Sequence, residues 1–181
     1  MKTSQDHPLE IDSVTVPGST GRIGMTFCPG KKQRGAMTGD WNRDLILDLE
    51  AIQAWGATVI VNLIEDHEMT DLGVQDTAQH VPADIAYLRL PIPDFGVPDA
   101  GWHEKWQTEG PALLARLRAG ESIALHCKGG LGRTGMIAAR MLVELGCTAQ
   151  ESIVAVRKAR AGTIETREQE AYVEAMKHGR A

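Results

Sequence analysis

Residues 122–146 read SIALHCKGGLGRTGMIAARMLVELG, and this stretch does most to predict the fold. It begins as a short apolar run, passes through a glycine-rich loop and continues as an apolar helical pattern closed by Gly146. Upstream, apolar runs such as ATVIVNLI at 57–64 and IAYLRL at 85–90 alternate with helical patterns, whereas downstream every pattern is helical. Strands alternating with helices predict an α/β domain with a central, largely parallel sheet flanked by helices and a helical C-terminal part.

Length and composition are typical of one globular domain. The chain has 181 residues, so we expect a single domain over 1–181, with a loosely ordered segment at 1–20. Its 24 acidic and 19 basic residues give a net charge of −5, which argues against nucleic-acid binding. Because MKTSQDHPLE has no apolar core and no window holds 18 consecutive apolar residues, we expect neither a signal peptide nor a membrane span.

The cysteine count points to a reducing compartment. Cys28, Cys127 and Cys147 are odd in number and lack a CxxC or Cys/His spacing, so we expect neither a disulfide framework nor a structural zinc site. Thiols stay free in a reducing cytosol. We therefore expect a cytoplasmic protein, and we expect it to be a monomer.

The glycine-rich loop contains two overlapping motifs that predict different chemistries. Gly130, Gly132 and Gly135 form a G-x-G-x-x-G pattern between a strand and a helix, which is the setting of a dinucleotide site. That site also needs a second strand after the helix, with an acid about 20 residues on, whereas here a helix follows the helix. A nucleotide-binding P-loop is excluded because GK[ST] does not occur in the sequence.

The second motif is Cys127, five residues and Arg133, and it predicts an anion site. Three of the five intervening residues are glycine, which lets successive N–H groups turn inward around an oxyanion. The helix that starts at Arg133 adds its positive end, and the guanidinium fork binds two phosphate oxygens at once. The same groups stabilise a thiolate, so we predict that Cys127 is a nucleophile. Thr134 is expected to donate its hydroxyl to the sulfur, and His126 to steady the loop by hydrogen bonding.

A plainer interpretation gives this motif no chemistry. A free cysteine at the end of a buried strand is more often packing than a reagent. The glycines, in turn, are also typical of a tight turn. Neither point explains why arginine stands at the start of the helix, so the anion site is favoured.

HCKGGLGRTG, at 126–135, resembles the signature HCxxGxxR[ST]G of the cysteine-dependent protein phosphatases, the tyrosine and dual-specificity superfamily. The stretches FCPGKK, GATVIVNL, PIPDFGVPD and GGLGR are most similar to its kinase-associated phosphatase branch, over residues 20–178. The resemblance implies an α/β fold with the signature loop at the carboxyl end of a strand. It also implies two-step hydrolysis of phosphomonoesters without a metal or other cofactor.

The resemblance also implies roles for residues of this chain. Cys127 attacks phosphorus, Arg133 and the N–H groups of 128–133 hold the phosphoryl oxygens, and Thr134 eases the departure of the sulfur. The residues expected to bind substrate are His126, Lys128, Gly129, Gly130, Leu131, Gly132 and Gln169.

The general acid is expected in PIPDFGVPD, at 91–99. Asp94 lies 33 residues before Cys127, where the family has its acid, and Asp99 is the alternative. A general acid is needed because a phosphoester oxygen leaves poorly as a bare anion. Both aspartates also have an interpretation as turn residues, since Asp beside Pro is common in loops.

The resemblance further implies a residue that positions the hydrolytic water, and the matching region of this chain is AGTIETREQ, at 161–169. Gln169 and Glu165 are the two candidates there. Gln169 has a second interpretation as the partner of Thr166 in a helix capping box, and a carboxylate such as Glu165 is unusual beside phosphate.

The loop composition favours a phosphorylated protein as substrate. Lys128 is basic, but Leu131 stands where phosphoinositide phosphatases of the superfamily often carry a second basic residue. We expect hydrolysis of phosphotyrosine, with phosphoserine and phosphothreonine also open. The alternatives are a lipid or nucleotide phosphatase with the same chemistry and a phosphoprotein-binding module with little turnover. A rhodanese-like protein is disfavoured by the helical tail. Cys28 remains a candidate resolving thiol for Cys127, and Cys147 is expected to be structural.

Overall fold

The computed structural model describes residues 1–176, and it confirms the predicted α/β fold. The strands are β1 (Asp12–Thr15), β2 (Arg22–Thr26), β3 (Lys32–Gln33), β4 (Trp41–Asn42), β5 (Ala57–Asn62), β6 (Ala86–Arg89) and β7 (Ser122–His126). The helices are α1 (Leu45–Trp55), α2 (Asp66–Asp71), α3 (Thr77–His80), α4 (Ala100–Arg118), α5 (Gly132–Glu144), α6 (Ala149–Ala159) and α7 (Arg167–Glu174). None of the helices within residues 1–176 has the length and apolar character needed to cross a bilayer.

The central sheet places β7 between two parallel neighbours. Its strand order is β1-β2-β7-β5-β6, and every pair is parallel except β1 with β2. His126 at the end of β7 aligns with Thr26 of β2 and with Asn62 of β5. The three strands therefore end together, and the loop that follows β7 emerges at their shared carboxyl edge, where open α/β sheets bind ligands.

The side chains of β5 alternate between two hydrophobic clusters, one on each face of the sheet. Val59 and Val61 of β5 point to the main cluster, which includes residues of α4, α5, α6 and α7, while Ile60 points to the smaller cluster around Leu49 and Ile52 of α1. This period of two is what a strand buried on both faces requires. The helices thus cover both faces of the sheet, and α5 is held rigidly behind the loop at 127–131.

Local sequence signals predict most element ends correctly. Gly56 ends α1 in the left-handed conformation, at φ 97°. The spacings of Thr148 with Glu151 and of Thr166 with Gln169 predict capping boxes, and both boxes are formed. The glycine at 179 predicts that the last helix ends near it, but α7 ends at Glu174. Gly179 itself lies outside the described residues.

Two N-terminal stretches hold more structure than their composition suggests. The segment 1–20, expected to be loosely ordered, contributes β1 to the central sheet, and Lys2 exchanges backbone hydrogen bonds with Asp40 and Asn42. The glycine-containing stretch 29–40, which reads as a loop in the sequence, contains β3, which pairs with β4. The pairs β1–β2 and β3–β4 join neighbouring segments, whereas the bonds of Lys2 reach residues far along the chain, which local patterns do not reveal.

Candidate active site

The loop between β7 and α5 carries Cys127 at its base. The Cys127 side chain is buried, with 3% of its surface exposed. Gly130 has φ 71°, and a Cβ there would lie 2.3 Å from the carbonyl oxygen of Thr26, so only glycine fits. In this conformation the Gly130 N–H donates to the Cys127 Sγ over 3.2 Å. The loop thus brings a hydrogen-bond donor to the sulfur, as an anion-binding turn would.

Arg133, in the first turn of α5, is almost fully buried and is held by two carboxylates. Its Nη1 and Nη2 pair with the two carboxylate oxygens of Glu68 at 2.6 and 2.9 Å, and Nη2 also pairs with Asp94 at 2.8 Å. Nη1 further donates to the Ile92 carbonyl. Burial disfavours the guanidinium charge, but the bonds and charge of Glu68 outweigh it and raise the pKa of Arg133. The Arg133 guanidinium is therefore charged and held in one orientation.

Glu68 is a residue of the site that the sequence does not indicate. It lies in α2, 65 positions before Arg133, within an acidic stretch that predicts only a short helix. Burial alone would raise its pKa, but hydrogen bonds from Arg133 and from the Glu65 N–H lower it below the ordinary value. The one local signal is the spacing of Glu65 and Glu68, which is that of a helix cap.

We expect Glu68→Gln to destabilise the protein and to disturb the arginine. The free energy of unfolding should fall by about 3 kcal/mol at neutral pH, as when one partner of a buried ion pair is removed. Because the folded pKa of Glu68 is depressed, its contribution to stability is present above its unfolded pKa and is lost as pH falls through the folded value. Urea unfolding at pH 7 and at pH 3 measures both effects.

Glu65→Gln is the matched control for this prediction. Glu65 is the N-cap of the same helix, and its side chain accepts from the Glu68 N–H in a capping box, which glutamine can also do. Its carboxylate lies near the surface, 3.9 Å from the His67 ring, and has no contact with Arg133 among residues 1–176. Its replacement should change stability by less than about 0.5 kcal/mol. Equal losses for the two variants, or a Glu68→Gln loss that persists at acid pH, would contradict the role given to the Glu68–Arg133 pair.

Asp94 and Asp99 have different surroundings although both lie before α4. Asp94 has 40% of its side chain exposed, and its Oδ1 accepts from Arg133 and from the Phe95 N–H. Asp99 is the N-cap of α4, where its Oδ1 accepts from the Trp102 N–H over 2.8 Å. The structure therefore brings Asp94 to the arginine and uses Asp99 to start a helix.

The loop before α7 reaches the same edge of the site. Gln169 is buried, accepts from the N–H groups of Glu165 and Thr166, and donates from Nε2 to the Gly96 carbonyl beside Asp94. Glu165 accepts from the Gly132 N–H over 2.8 Å. A Cβ on Gly132 would lie 2.5 Å from the Glu165 carboxylate and 2.8 Å from the Gln169 amide oxygen. Both candidates for positioning water thus lie against residues 127–132, the predicted phosphate loop.

Three other predicted site residues have different outcomes. The Thr134 hydroxyl is buried and has no hydrogen-bond partner among residues 1–176, so the predicted bond to the sulfur is not formed in this structure. The ring nitrogens of His126 also lack a bond of good geometry there, and burial lowers the pKa of His126 to about 4, which keeps the ring neutral. Among residues 1–176, the predicted steadying bond from the His126 ring is therefore not formed with standard geometry. Lys128 is half-buried at the loop entrance.

Cys28 adjoins the phosphate loop through its backbone. Its N–H donates to the Lys128 carbonyl over 3.4 Å, and its thiol approaches the Pro29 carbonyl at 3.6 Å. Burial raises the pKa of the Cys28 thiol, which keeps it protonated. Whether it serves Cys127 as a resolving thiol stays a prediction.

Comparison with known proteins agrees with this geometry. A family model described as "Polymorphic toxin system, DSP-PTPase phosphatase" matches residues 37–147. Cyclin-dependent kinase inhibitor 3 of Rattus norvegicus is 34% identical over 155 residues, which is 83% of this chain and 69% of that protein. Protein tyrosine phosphatase type IVA 3 of Homo sapiens is 28% identical over 128 residues, covering 70% of this chain and 69% of that protein.

Solved structures share the fold. A crystal structure of kinase associated phosphatase, with its catalytic-site cysteine substituted by serine, covers 92% of both chains with a TM-score of 0.78 and 24% identity. A protein tyrosine phosphatase described as putative, from Leishmania major, covers 94% of this chain and 99% of the other with a TM-score of 0.65 and 19% identity. The chain belongs to the cysteine-dependent protein tyrosine and dual-specificity phosphatase superfamily, near its kinase-associated phosphatase branch.

Proposed function

We propose that this phosphatase hydrolyses phosphotyrosine in proteins through a phosphocysteine intermediate, with phosphoserine and phosphothreonine as further substrates. One observation carries the proposal: a buried sulfur that accepts an N–H hydrogen bond lies in one loop with a fixed arginine, and that arginine contacts an exposed aspartate. A nucleophile, an anion-binding group and a proton donor are what transfer of a phosphoryl group to sulfur requires.

In the proposed first step, the Cys127 sulfur forms a bond to phosphorus as the phosphorus–oxygen ester bond breaks. Arg133 and the loop N–H groups hold the other phosphoryl oxygens, and Asp94 gives its proton to the leaving oxygen. General-acid help of this kind contributes about 10² to 10⁴ in rate. The contact of Asp94 with Arg133, at 2.8 Å, supports the assignment because Arg133 is the residue proposed to hold the phosphoryl group.

In the second step, water attacks phosphorus while Asp94 takes its proton, and the sulfur leaves as a thiolate. The N–H of Gly130, at 3.2 Å from the sulfur, stabilises that leaving group, and the unpartnered hydroxyl of Thr134 is free to add a second bond. Gln169 is proposed to orient the water, since its amide lies over Gly132 and is tied to the Asp94 loop. Glu165, over the same glycine, is the alternative.

A protein substrate suits the loop better than a polyphosphorylated lipid. Lys128 is its basic residue, and Leu131 stands at the second place where phosphoinositide enzymes of this superfamily often carry a base. We also propose that the chain works as a single-domain monomer and that it works in the cytoplasm. The proposed location rests on the nucleophile, because a reactive thiolate survives longest where reductants restore it.

The test is a substrate panel for the wild-type chain, in the presence of EDTA. We expect the highest kcat/KM for phosphotyrosine peptides, lower values for phosphoserine and phosphothreonine peptides, and inhibition by vanadate. A higher kcat/KM for a phosphoinositide or a nucleotide would replace the proposed substrate class. Tight binding of phosphopeptides without turnover would instead indicate a binding module.

A further inference from the structure

We propose that Lys31 and Arg160 are positioning residues that aim the N–H groups of the phosphate loop inward by holding three successive loop carbonyls from the outside. This proposal rests on the proposed function, since the N–H groups in question are those assigned to the phosphoryl oxygens. Neither residue belongs to the signature motif, and they come from opposite ends of the chain.

Arg160 contacts the loop from the end of α6. Its Nε donates to the Gly130 carbonyl over 2.8 Å, and its Nη2 approaches the Gly129 carbonyl at 3.5 Å. Its Nη1 pairs with Asp12 of β1 at 2.7 Å, and only 13% of the side chain is exposed. The guanidinium is therefore anchored on one side by a strand while its other side faces two adjacent loop carbonyls.

Lys31 contacts the preceding carbonyl from the other direction. Only 4% of this lysine is exposed, and its Nζ donates to the Lys128 carbonyl over 3.3 Å. The ammonium lies 4.1 Å from the ring centroid of Trp41 and 5.0 Å from that of Phe27. Within residues 1–176, no carboxylate lies within 4.0 Å of it, so its polar contact in the site is the loop itself.

The charge of Lys31 survives this burial. Burial lowers its pKa to about 8, and negative charge on a neighbouring cysteine sulfur opposes that change. The amine therefore remains mostly protonated at neutral pH, and aromatic faces favour a cation over a neutral amine. A buried cation without an acidic partner is costly unless it serves a nearby anion, and the proposed thiolate and phosphate are such anions.

Because the peptide bond is planar, the direction of each loop carbonyl fixes the direction of the next N–H group. In a trans peptide the C=O of one residue and the N–H of the next point in opposite directions. Outward carbonyls at 128, 129 and 130 therefore turn the N–H groups of 129, 130 and 131 toward the side of the sulfur. The Gly130 N–H bears this out, because it donates to the Cys127 sulfur at 3.2 Å.

The loop benefits from such support because Gly129, Gly130 and Gly132 give its backbone wide conformational freedom. A Cβ on Gly129 would meet no atom within 4 Å, so the space beside that residue is open. Glycine has a wide choice of backbone conformations, and a flipped peptide would aim a carbonyl at the phosphate. Donors that are already oriented are what makes an anion site effective, since no reorganisation is needed during reaction.

The experiment compares Arg160→Met and Lys31→Met with Arg22→Met. Arg22 is a matched control, because its guanidinium also lies over an aromatic ring, Trp55, and donates to a backbone carbonyl at 2.7 Å, but at the amino end of β2. Two quantities are measured: the vanadate inhibition constant, and the pH midpoint of Cys127 alkylation by iodoacetamide. Melting temperatures record general destabilisation separately.

We expect Arg160→Met to weaken vanadate binding by roughly tenfold or more, as loss of a hydrogen bond to a charged group does. Its alkylation midpoint should move to higher pH. Lys31→Met should move both quantities in the same direction, whereas Arg22→Met should leave both unchanged even if it lowers the melting temperature. Asp12→Asn removes the ion pair that anchors Arg160, so it should change vanadate binding and the alkylation midpoint in the same direction but by less. This variant replaces Arg160→Met in the experiment if Arg160→Met does not fold.

Unchanged vanadate binding and alkylation in both loop-contacting variants would overturn the proposal, as would equal changes in Arg22→Met. Failure of the proposed function gives a different result, because wild-type protein would then bind vanadate without hydrolysing phosphopeptides. Neither readout requires turnover, so the two outcomes are separable.

Discussion

Cys127→Ser is expected to lower phosphotyrosine hydrolysis by on the order of 10⁴-fold or more, as loss of a nucleophile does in other enzymes with covalent intermediates. A serine hydroxyl is not ionised near neutral pH, and one N–H hydrogen bond to this position does not make it an alkoxide. Substrate binding should persist, because Arg133 stays fixed by Glu68 and keeps its charge. Steady-state kinetics and calorimetric titration with a phosphotyrosine peptide measure the two properties separately.

Cys28→Ala provides the control for this prediction. Cys28 is also buried and its backbone also contacts the loop, but burial keeps its thiol protonated. Its replacement should leave kcat within a few-fold of wild type, although a small cavity lowers stability by about 1 kcal/mol. Full activity of Cys127→Ser, or equal losses for the two variants, would refute nucleophilic catalysis by Cys127.

The sequence predicts the parts of the fold that depend on local patterns. The buried strands at 57–64 and 122–127 are visible as short apolar runs, and the helix after the loop follows from its apolar period and from Gly146. Caps are equally local, so the capping boxes at Thr148 and Thr166 are found by spacing alone. The strand order, β1-β2-β7-β5-β6, does not follow from such local patterns.

The residues that support the site are less visible because they act across the fold. Glu68 reaches Arg133 because α2 follows β5, which lies next to β7, and no local pattern encodes that contact. Lys31 stands in a stretch whose composition suggests an exposed basic loop, yet Trp41 folds over it from β4. Arg160 looks like an ordinary basic residue at a helix end, where cations are favoured by the dipole.

Gln169 illustrates a case in which two interpretations are compatible. Its backbone N–H donates to the Thr166 hydroxyl, as the local spacing predicts, while its side-chain amide donates to the Gly96 carbonyl. Gln169 thus takes part in the N-terminal cap of α7, and its side chain also contacts the segment that carries Asp94. A local pattern with a sufficient structural explanation does not exclude a further role for the residue.

Asp94→Asn should lower kcat for phosphotyrosine peptides by about 10² to 10⁴, the usual contribution of a general acid. An amide keeps the size of the carboxylate and one hydrogen bond to Arg133, but it has no proton to give to the leaving oxygen. The loss should shrink as the leaving group improves, because an acidic phenol departs without help. Comparing a phosphotyrosine peptide with difluoromethylumbelliferyl phosphate checks this dependence directly.

Asp99→Asn is the matched control, since asparagine also caps helices well and should preserve the start of α4. It should leave kcat unchanged for both substrates. If Asp99→Asn instead produced the leaving-group-dependent loss while Asp94→Asn did not, the acid would be Asp99, and the loop would have to rearrange on binding substrate. A loss at Asp94 that is equal for good and poor leaving groups would mean that Asp94 acts through its bond to Arg133, as a positioning residue, and that the leaving oxygen takes its proton elsewhere.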